Sequence, residues 1–365
     1  MGKKTENRKA EHINICLDEK AQAKKATTGF EDVQFVHRTL PEVDEANIDV
    51  STKVFGHKFS APVIVGAMTG GTAEATRINA VIAEAVETLQ LGMGVGSQRA
   101  AIENPKLSET FSIARKKAPT AFLIANIGGI QLVHGCGVKE VKQAIEMIDA
   151  DAVAVHLNAL HEAIQPEGQT SFKGVLDKIC EITAELDKPV IVKETGAGIA
   201  AEDAKKLEEA GVKAIDVGGI GGTSFAAVEY YRSEYNSVQH FLGDVFWDWG
   251  IPTAVSLMET TQTAKVPVIA SGGMRSGMDV AKSLALNACL ASVCQPALET
   301  AVKGGKVTQK MLSLLIDELR TVMFLVGAEK VQDLAKKPVV VMGKTAEWLK
   351  TRGFNLEDYA RRGAR

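Results

Sequence analysis

Two glycine-rich segments of this 365-residue chain have the composition of phosphate-binding loops. One is GGIGGTS at 218–224, which ends in Thr223 and Ser224, and the other is Gly272-Gly273 followed by Met274 and Arg275. Glycine lets the backbone approach a ligand closely, so N–H groups, hydroxyls and a guanidinium can meet one phosphate. Either segment alone could be an ordinary turn, but the two together predict a phosphate site.

A lysine at the end of an apolar run narrows the choice of ligand. Lys193 follows VIV at 190–192. A phosphate site combined with such a lysine is typical of flavin mononucleotide (FMN), since the ammonium stabilises negative charge near the N1–C2 edge of the flavin ring. The alternative is a buried lysine paired with a carboxylate such as Asp216.

A second basic cluster lies near the amino terminus. Arg8 and His12 are four residues apart and share a face if the segment is helical, with Lys9 beside them. Together with Arg99 they could hold a diphosphate, because each phosphate–cation contact gives ~4 kcal/mol before desolvation, at about 4 Å and an effective dielectric of roughly 20. Glu162 is then a candidate ligand for a Mg²⁺ that bridges the phosphates. The alternatives are a solvated chain end and an ordinary carboxylate in the first turn of a helix.

The elements that must position these residues are short, Val- and Ile-rich runs that alternate with helix-like stretches. Eight such runs predict parallel strands at 63–67, 92–95, 122–126, 152–157, 190–193, 214–217, 266–270 and 290–293. Eight strand–helix units predict an α/β fold of the (β/α)₈ barrel type, with its active site at the carboxyl ends of the strands. A doubly wound open sheet is the competing architecture, but there the glycines usually follow the first strand.

Two segments exceed a minimal barrel, and we expect both to belong to one domain spanning 1–365. Residues 1–60 precede the first strand and carry the basic cluster, so they are expected to clamp substrate. Residues 225–250 form an aromatic-rich insertion between strands six and seven that we expect to be a lid. Extra packing or oligomer contacts would explain the two segments equally well. A closing helix is predicted at 309–326.

Composition excludes several classes of protein. The chain is 45% hydrophobic and 24% charged with a net charge of −3, so no overall positive field attracts nucleic acid or an anionic membrane. Its five cysteines form no C-x-x-C pair, which disfavours zinc and disulfide frameworks. No signal peptide or membrane span is visible, and a cytoplasmic location is expected.

With these residues assembled, the chain closely resembles the type 2 isopentenyl diphosphate isomerases. The resemblance covers nearly the whole chain and lies in NRKAEHI at 7–13, GAMTGGT at 66–72, GVGSQRAAIENP at 94–105, HLNALHEAIQPEG at 156–168, VIVKETGAG at 190–198, GGIGGTS at 218–224 and IASGGMRSGMDVAKSLALNA at 269–288. It implies an FMN-bearing barrel that interconverts isopentenyl and dimethylallyl diphosphates. It also implies a need for reduced flavin, Mg²⁺, NAD(P)H as reductant, and a homotetramer or homo-octamer.

The resemblance also implies roles for individual residues. Substrate would be bound by Arg8, Lys9, His12, Ser97, Gln98, Arg99, His156, Asn158 and His161. FMN would be held by Ala67, Met68, Thr69, Ser97, Asn126, Lys193, Thr223, Gly273, Met274, Arg275, Ala297 and Leu298. Glu162 would bind the metal, and His156, His161 and Lys193 would be catalytic.

This chain departs from the family pattern at two positions. His161 stands where the family usually has the glutamine nearest the carbon that loses a proton, and Gly218 replaces a serine, removing one hydroxyl contact to the flavin. Reduced anionic flavin is expected to donate and recover the proton at N5, since moving the double bond develops positive charge on the substrate. We hypothesise that His161 relays a proton; it could instead only orient Glu162 or a water.

Two rival functions share the same motifs. An FMN-dependent 2-hydroxy-acid oxidase or dehydrogenase would use the same barrel but needs a catalytic histidine at the late strands, and no histidine follows His240. A flavin-binding barrel without turnover is the other rival, and the residues Arg8, Lys9, Arg99 and Glu162 disfavour it.

Overall fold

Eight parallel strands close into a barrel in the computed structural model, which describes residues 2–18 and 21–363 and, within helix Gly2–Leu17, the side chains of residue 9 and of 11 onward. The barrel strands are Val63–Val65, Gly92–Gly94, Phe122–Gly128, Ala152–Leu157, Val190–Glu194, Ala214–Asp216, Val268–Ala270 and Leu290–Val293. Each strand pairs with its neighbours in sequence, and the eighth pairs with the first. The predicted (β/α)₈ barrel is confirmed, with every strand within two residues of its predicted bounds.

The barrel strands are apolar on both faces because both faces are buried. Ile64, Ile124 and Ile191 pack inside the barrel, whereas Val63 and Val65 pack in the larger core beneath the helices. Burial on two sides explains why the strands read as continuous apolar runs rather than alternating ones.

An antiparallel hairpin, Thr52–Val54 with His57–Phe59, packs against the inward-facing residues of the barrel. Phe59 is fully buried, and its ring centroid lies 5.4 Å from that of Phe122, at the start of the third strand. The hairpin therefore plugs the amino-terminal end of the barrel.

Helices surround the barrel and extend beyond it. They are Ala73–Thr88, Arg99–Glu103, Glu109–Lys117, Gly129–Leu132, Val138–Met147, Ala159–Ile164, Val175–Glu185, Ala201–Glu209, Thr253–Thr263, Gly277–Ala285, Gln295–Lys303, Gly305–Val326, Gly343–Thr351 and Glu357–Ala360, with 3₁₀ turns at Phe30–Asp32, Glu45–Asn47, Pro105–Leu107 and Val331–Lys336. The closing helix predicted at 309–326 is thus found four residues longer. Strand Val339–Val341 pairs antiparallel with Val33–Phe35, which ties the carboxyl-terminal region to the amino-terminal one.

Three more helices lie near the carboxyl ends of the strands. Helix Gly2–Leu17 contacts helix Phe225–Arg232 and helix Arg99–Glu103, and Val238–Val245 packs on Phe225–Arg232. The amino-terminal segment and the insertion after strand six therefore meet over the barrel. Within the described residues, none of the helices is both long and apolar enough to cross a membrane.

Candidate active site

The carboxyl ends of all eight strands border one cavity. It brings together eighteen of the residues that the sequence predicts: Lys9, His12, Ala67, Met68, Thr69, Ser97, Arg99, Asn126, His156, Asn158, His161, Glu162, Lys193, Thr223, Gly273, Met274, Arg275 and Leu298. Strand ends of a barrel converge in this way whatever their separation in sequence.

Three predicted residues are not placed at this cavity. The Gln98 side chain is fully buried on the outer side, where its amide donates to the Ala144 carbonyl at 2.8 Å and accepts from the Asn126 N–H at 2.9 Å. Gln98 therefore positions strand three rather than facing a ligand. Ala297 is fully buried in the first turn of helix Gln295–Lys303 and does not border the cavity. Arg8 lies in helix Gly2–Leu17, which meets the condition for sharing a face with His12, but its side chain is outside the described residues.

The two glycine-rich loops pack directly on each other. Gly272 and Gly273 have positive φ angles of 102° and 72°, and a Cβ at these positions would lie 2.0 Å from the Gly219 carbonyl oxygen and 2.5 Å from Thr28. Only glycine fits such a conformation and approach. Within the described part of the chain, the N–H groups of Thr223, Gly272 and Gly273 have no hydrogen-bond acceptor, so they form a set of donors at the cavity.

The N–H groups of Arg275, Ser276 and Gly277, at the start of helix Gly277–Ala285, are bonded within the protein. Ser276 and Asp279 form a capping box, and one Asp279 oxygen accepts from the N–H groups of both Arg275 and Ser276 at 3.0 Å. Among the described residues, the free backbone donors at the cavity are thus those of Thr223, Gly272 and Gly273 rather than those of the helix start. Gln22, which sequence reasoning missed, links the two loops by donating to Thr223 Oγ1 at 3.3 Å and accepting from Arg275 at 2.8 Å.

Lys193 projects from strand five beside strand six. Its Nζ donates to the Glu194 carbonyl at 2.8 Å, and the Asp216 carboxylate instead accepts from the Ser271 hydroxyl. Lys193 and Asp216 are neighbours in register but form no ion pair among the described residues. The alternative of a lysine paired with Asp216 is therefore not what the structure shows. Burial raises the pKa of Asp216, although the charge of Lys193 opposes that shift.

His156 is held as a neutral imidazole. Its Nδ1 lies 2.8 Å from Asn126 Oδ1, and Asn126 Nδ2 donates to the Val95 carbonyl at 3.1 Å. Burial, followed by the nearby charge of Lys193, lowers the pKa of His156 to about 3. It therefore carries no charge at neutral pH.

A cluster that the sequence did not predict lies at the cavity edge. His12 and His161 both direct Nε2 at Oε1 of Glu229, at 3.0 and 2.7 Å, and the other Glu229 oxygen accepts from Arg232. Although burial alone would raise the pKa of Glu229, the hydrogen bonds from His12 and His161 hold it well below its usual range. Glu229 lies on the same face of its helix as Phe225 and Arg232, four residues after one and three before the other. That spacing was its only signal in the sequence.

Glu162 is a buried carboxylate with neutral partners. Its oxygens accept from Asn158 Nδ2 at 3.1 Å, Gln165 Nε2 at 2.6 Å and the Gln169 N–H at 2.7 Å, and no lysine or arginine in the described residues pairs with it. The buried oxygens Asn158 Oδ1 and Gln169 Oε1 have no hydrogen-bond partner. Carboxylate and amide oxygens without a cation are a donor set that fits a hard divalent ion. His161 does not bond Glu162 but Glu229, so it does not orient the Glu162 side chain directly.

The fold resembles those of solved flavocytochrome b2 and mandelate oxidase structures. A flavocytochrome b2 variant superposes with a TM-score of 0.65 at 19% identity, over 94% of this chain and 85% of that one. A mandelate oxidase variant gives a TM-score of 0.61 at 17% identity, over 92% and 98%. At such low identity these likenesses concern the fold alone.

Sequence relatives are far more similar. The family model for FMN-dependent dehydrogenases matches residues 1–122 and 142–341. Proteins named isopentenyl-diphosphate delta-isomerase share 49% identity in Methanosarcina barkeri, over 98% of this chain and 97% of the relative, and 47% in Pyrococcus furiosus, over 100% and 93%. This chain therefore belongs to the isopentenyl-diphosphate delta-isomerase family, within the wider family of FMN-dependent dehydrogenases.

Proposed function

We propose that this protein interconverts isopentenyl and dimethylallyl diphosphates by a 1,3-allylic proton transfer that uses reduced FMN and Mg²⁺. The observation that carries the proposal is that a phosphate-loop pair, a lysine and a buried carboxylate without a cation all border one cavity. A cofactor phosphate and a substrate diphosphate need two separate anion sites, and the cavity offers both.

FMN would lie across the barrel mouth with its phosphate on the N–H groups of Thr223, Gly272 and Gly273. Arg275 adds positive charge there, and Lys193 lies within the barrel end where the ring would sit. Met68 and Leu298 supply apolar surface. When bound and reduced, FMN supplies an acid–base group and a negative charge beside the alkene. Lys193 would stabilise the negative charge of the reduced flavin ring.

The diphosphate would be held by Mg²⁺ on Glu162 and by the cations of the amino-terminal helix. Lys9 Nζ lies 3.0 Å from the Ser97 carbonyl and so joins the amino-terminal helix to the loop after strand two. Arg99 forms an ion pair with Glu103 at 2.7 Å. When the substrate binds, its guanidinium would exchange the Glu103 carboxylate for the diphosphate. Asn158 Oδ1 is free to complete the Mg²⁺ ligand set.

Two imidazoles border the cavity, those of His156 and His161. His156 is uncharged and bonded to Asn126, so it can donate or accept a hydrogen bond without adding charge to a developing cation. His161 would relay a proton through its bond to Glu229, in place of the family's glutamine. Orienting a water is the alternative role for His161.

We further propose that residues 1–60 clamp substrate and that 225–250 act as a lid. Their meeting at the His12–Glu229 contact supports both roles, since opening one segment would release the other. NAD(P)H as reductant and a homotetramer or homo-octamer stay predictions.

The oxidase alternative finds no support at the late strands. The segment after strand seven is Ser271-Gly272-Gly273-Met274-Arg275, which provides no imidazole to take a proton from a 2-hydroxy acid.

The test is direct. The protein is purified, its flavin identified and reduced, and isopentenyl diphosphate followed by proton NMR in D₂O with Mg²⁺. Deuterium in dimethylallyl diphosphate only under reducing conditions supports the isomerase, whereas net oxidation of a 2-hydroxy acid supports the oxidase. A flavin-loaded protein that does neither would favour the barrel without turnover.

A further inference from the structure

His12, His161 and Glu229 come from three distant segments yet place one ligand atom each within 4.8 Å of the others. The two imidazole nitrogens face the same carboxylate oxygen at 3.0 and 2.7 Å. In a tetrahedral zinc site with bonds of about 2.0–2.1 Å, neighbouring ligand atoms are separated by ~3.3 Å. Each imidazole nitrogen would thus need to move away from the carboxylate oxygen by only a few tenths of an ångström to hold an ion in place of its N–H proton, and the two nitrogens already lie within 4.8 Å of each other.

The surroundings of this cluster resemble those of a metal centre. Arg232 bonds the second oxygen of Glu229 and is itself bridged to Glu11 at 3.1 Å and to Glu167 at 3.3 Å, so the carboxylate is fixed in orientation. Such outer partners orient metal ligands. The Glu229 side chain is fully buried, whereas His12 and His161 border the cavity. A metal bound here would keep a coordination position open to the cavity.

We propose that His12, His161 and Glu229 form a binding site for one transition-metal ion of the Zn²⁺ class, separate from the oxygen-donor site at Glu162. Two imidazoles and one carboxylate favour Zn²⁺, Co²⁺ or Fe²⁺ over Mg²⁺, which prefers oxygen ligands. An ion at this site holds both imidazoles by Nε2 and therefore slows turnover of a substrate that needs them. The inhibitory part rests on the proposed function, while metal binding does not.

The experiment measures binding without turnover. The full-length protein is freed of metals by dialysis against a chelator, then titrated with Zn²⁺ in competition with a chromophoric chelator and with Co²⁺ by visible absorption, both in excess Mg²⁺. We expect one Zn²⁺ per chain and an intense four-coordinate Co²⁺ spectrum. His161→Gln and Glu229→Gln should each weaken binding by at least about 100-fold, since even losing a partner outside the ligand set costs 10- to 100-fold.

His134→Gln is the matched control, because His134 is exposed and outside the cluster. Circular dichroism and the melting temperature of each variant distinguish loss of metal binding from misfolding. If Glu229→Gln fails to fold, His161→Gln alone tests the site. Binding that is absent, displaced by Mg²⁺, or equal in wild type and folded His161→Gln would overturn the site. Isomerase activity with Mg²⁺ is measured separately in the metal-freed protein. Failure of the metal site therefore does not contradict the proposed isomerase function, and the reverse also holds.

Discussion

His156 Nδ1 lies 2.8 Å from Oδ1 of Asn126, and this contact fixes which nitrogen of His156 is protonated. Because Asn126 Nδ2 donates to the Val95 carbonyl, the amide oxygen must face the imidazole, so Nδ1 carries the hydrogen. One residue on strand three thus sets the protonation of a residue on strand four.

Asn126→Asp tests this relationship. A carboxylate beside the imidazole favours its charged form, so we expect the pKa of His156 to rise by about 1 to 3 units from its value of about 3. Histidine NMR across a pH titration measures it. Asn47→Asp adds the same charge at an exposed site and should leave His156 unchanged. An unshifted His156 in Asn126→Asp would contradict the assigned tautomer.

His161→Gln restores the residue that the family usually has. If the imidazole relays a proton, kcat should fall by about 10-fold and the pH–rate profile should lose one limb, since an amide does not titrate. Steady-state assays with reduced FMN and Mg²⁺ from pH 5 to 9 measure both. An unchanged rate with an unchanged profile would remove the relay and leave only an orienting role.

Glu162→Gln tests the magnesium site. Loss of the only charge among the oxygen ligands should raise the Mg²⁺ concentration for half-maximal activity by at least about 10-fold. Mg²⁺ titration of activity, and Mn²⁺ binding followed by electron paramagnetic resonance, provide two readouts. Glu185→Gln, at an exposed helix position, is the control. Equal Mg²⁺ dependence in both variants would place the ion elsewhere.

Gly272→Ala tests the phosphate loops. A Cβ there would lie 2.0 Å from the Gly219 oxygen, so the two loops must separate and FMN affinity should fall at least about 10-fold. Flavin retained after gel filtration measures it. Gly304→Ala is matched for strain, with a φ of 120° but no atom within 4 Å of the added Cβ. It should lose stability while keeping its flavin, and flavin loss from both variants would point to unfolding instead.

Glu194 makes stability depend on pH. Burial raises its pKa to about 7 from 4.5, against the opposing hydrogen bonds of the Ala197 and Gly196 N–H groups. The folded state therefore favours the protonated carboxyl, so its stabilisation is complete below about pH 4.5 and is lost as the pH rises through 7.

We expect the free energy of unfolding to fall by roughly 3 kcal/mol from this group between pH 4 and 8. Urea unfolding of wild type and Glu194→Gln measures the difference, and the variant should show the flatter dependence. Parallel pH dependences would mean that folding does not raise the pKa of Glu194.

The sequence predicted what depends on local pattern. Each barrel strand is a short apolar run ended by polar residues, and strand ends of a closed barrel must converge, so His156, Lys193 and Gly273 could be assigned to one site in advance. The capping box of helix Gly277–Ala285 is also a local pattern, since Ser276 and Asp279 are three residues apart, and it engages N–H groups that could otherwise face a phosphate.

Contacts between distant segments could not be predicted. Glu229 lies in the segment that the sequence predicts to be a lid. Only the tertiary fold brings it to His12, 217 residues away. Gln98 is a residue that the sequence wrongly assigned to the cavity. Its neighbours Ser97 and Arg99 border the cavity, whereas its own side chain points away from it, toward the Ala144 carbonyl. Alternate directions within a three-residue motif follow from the backbone after strand two and are not visible in composition.

The hairpin that places Phe59 against Phe122 fills the amino-terminal end of the barrel, and the cavity lies at the opposite end. If FMN and the diphosphate bind as proposed, both approach the barrel from the same side, so we expect bound substrate to slow the release of FMN.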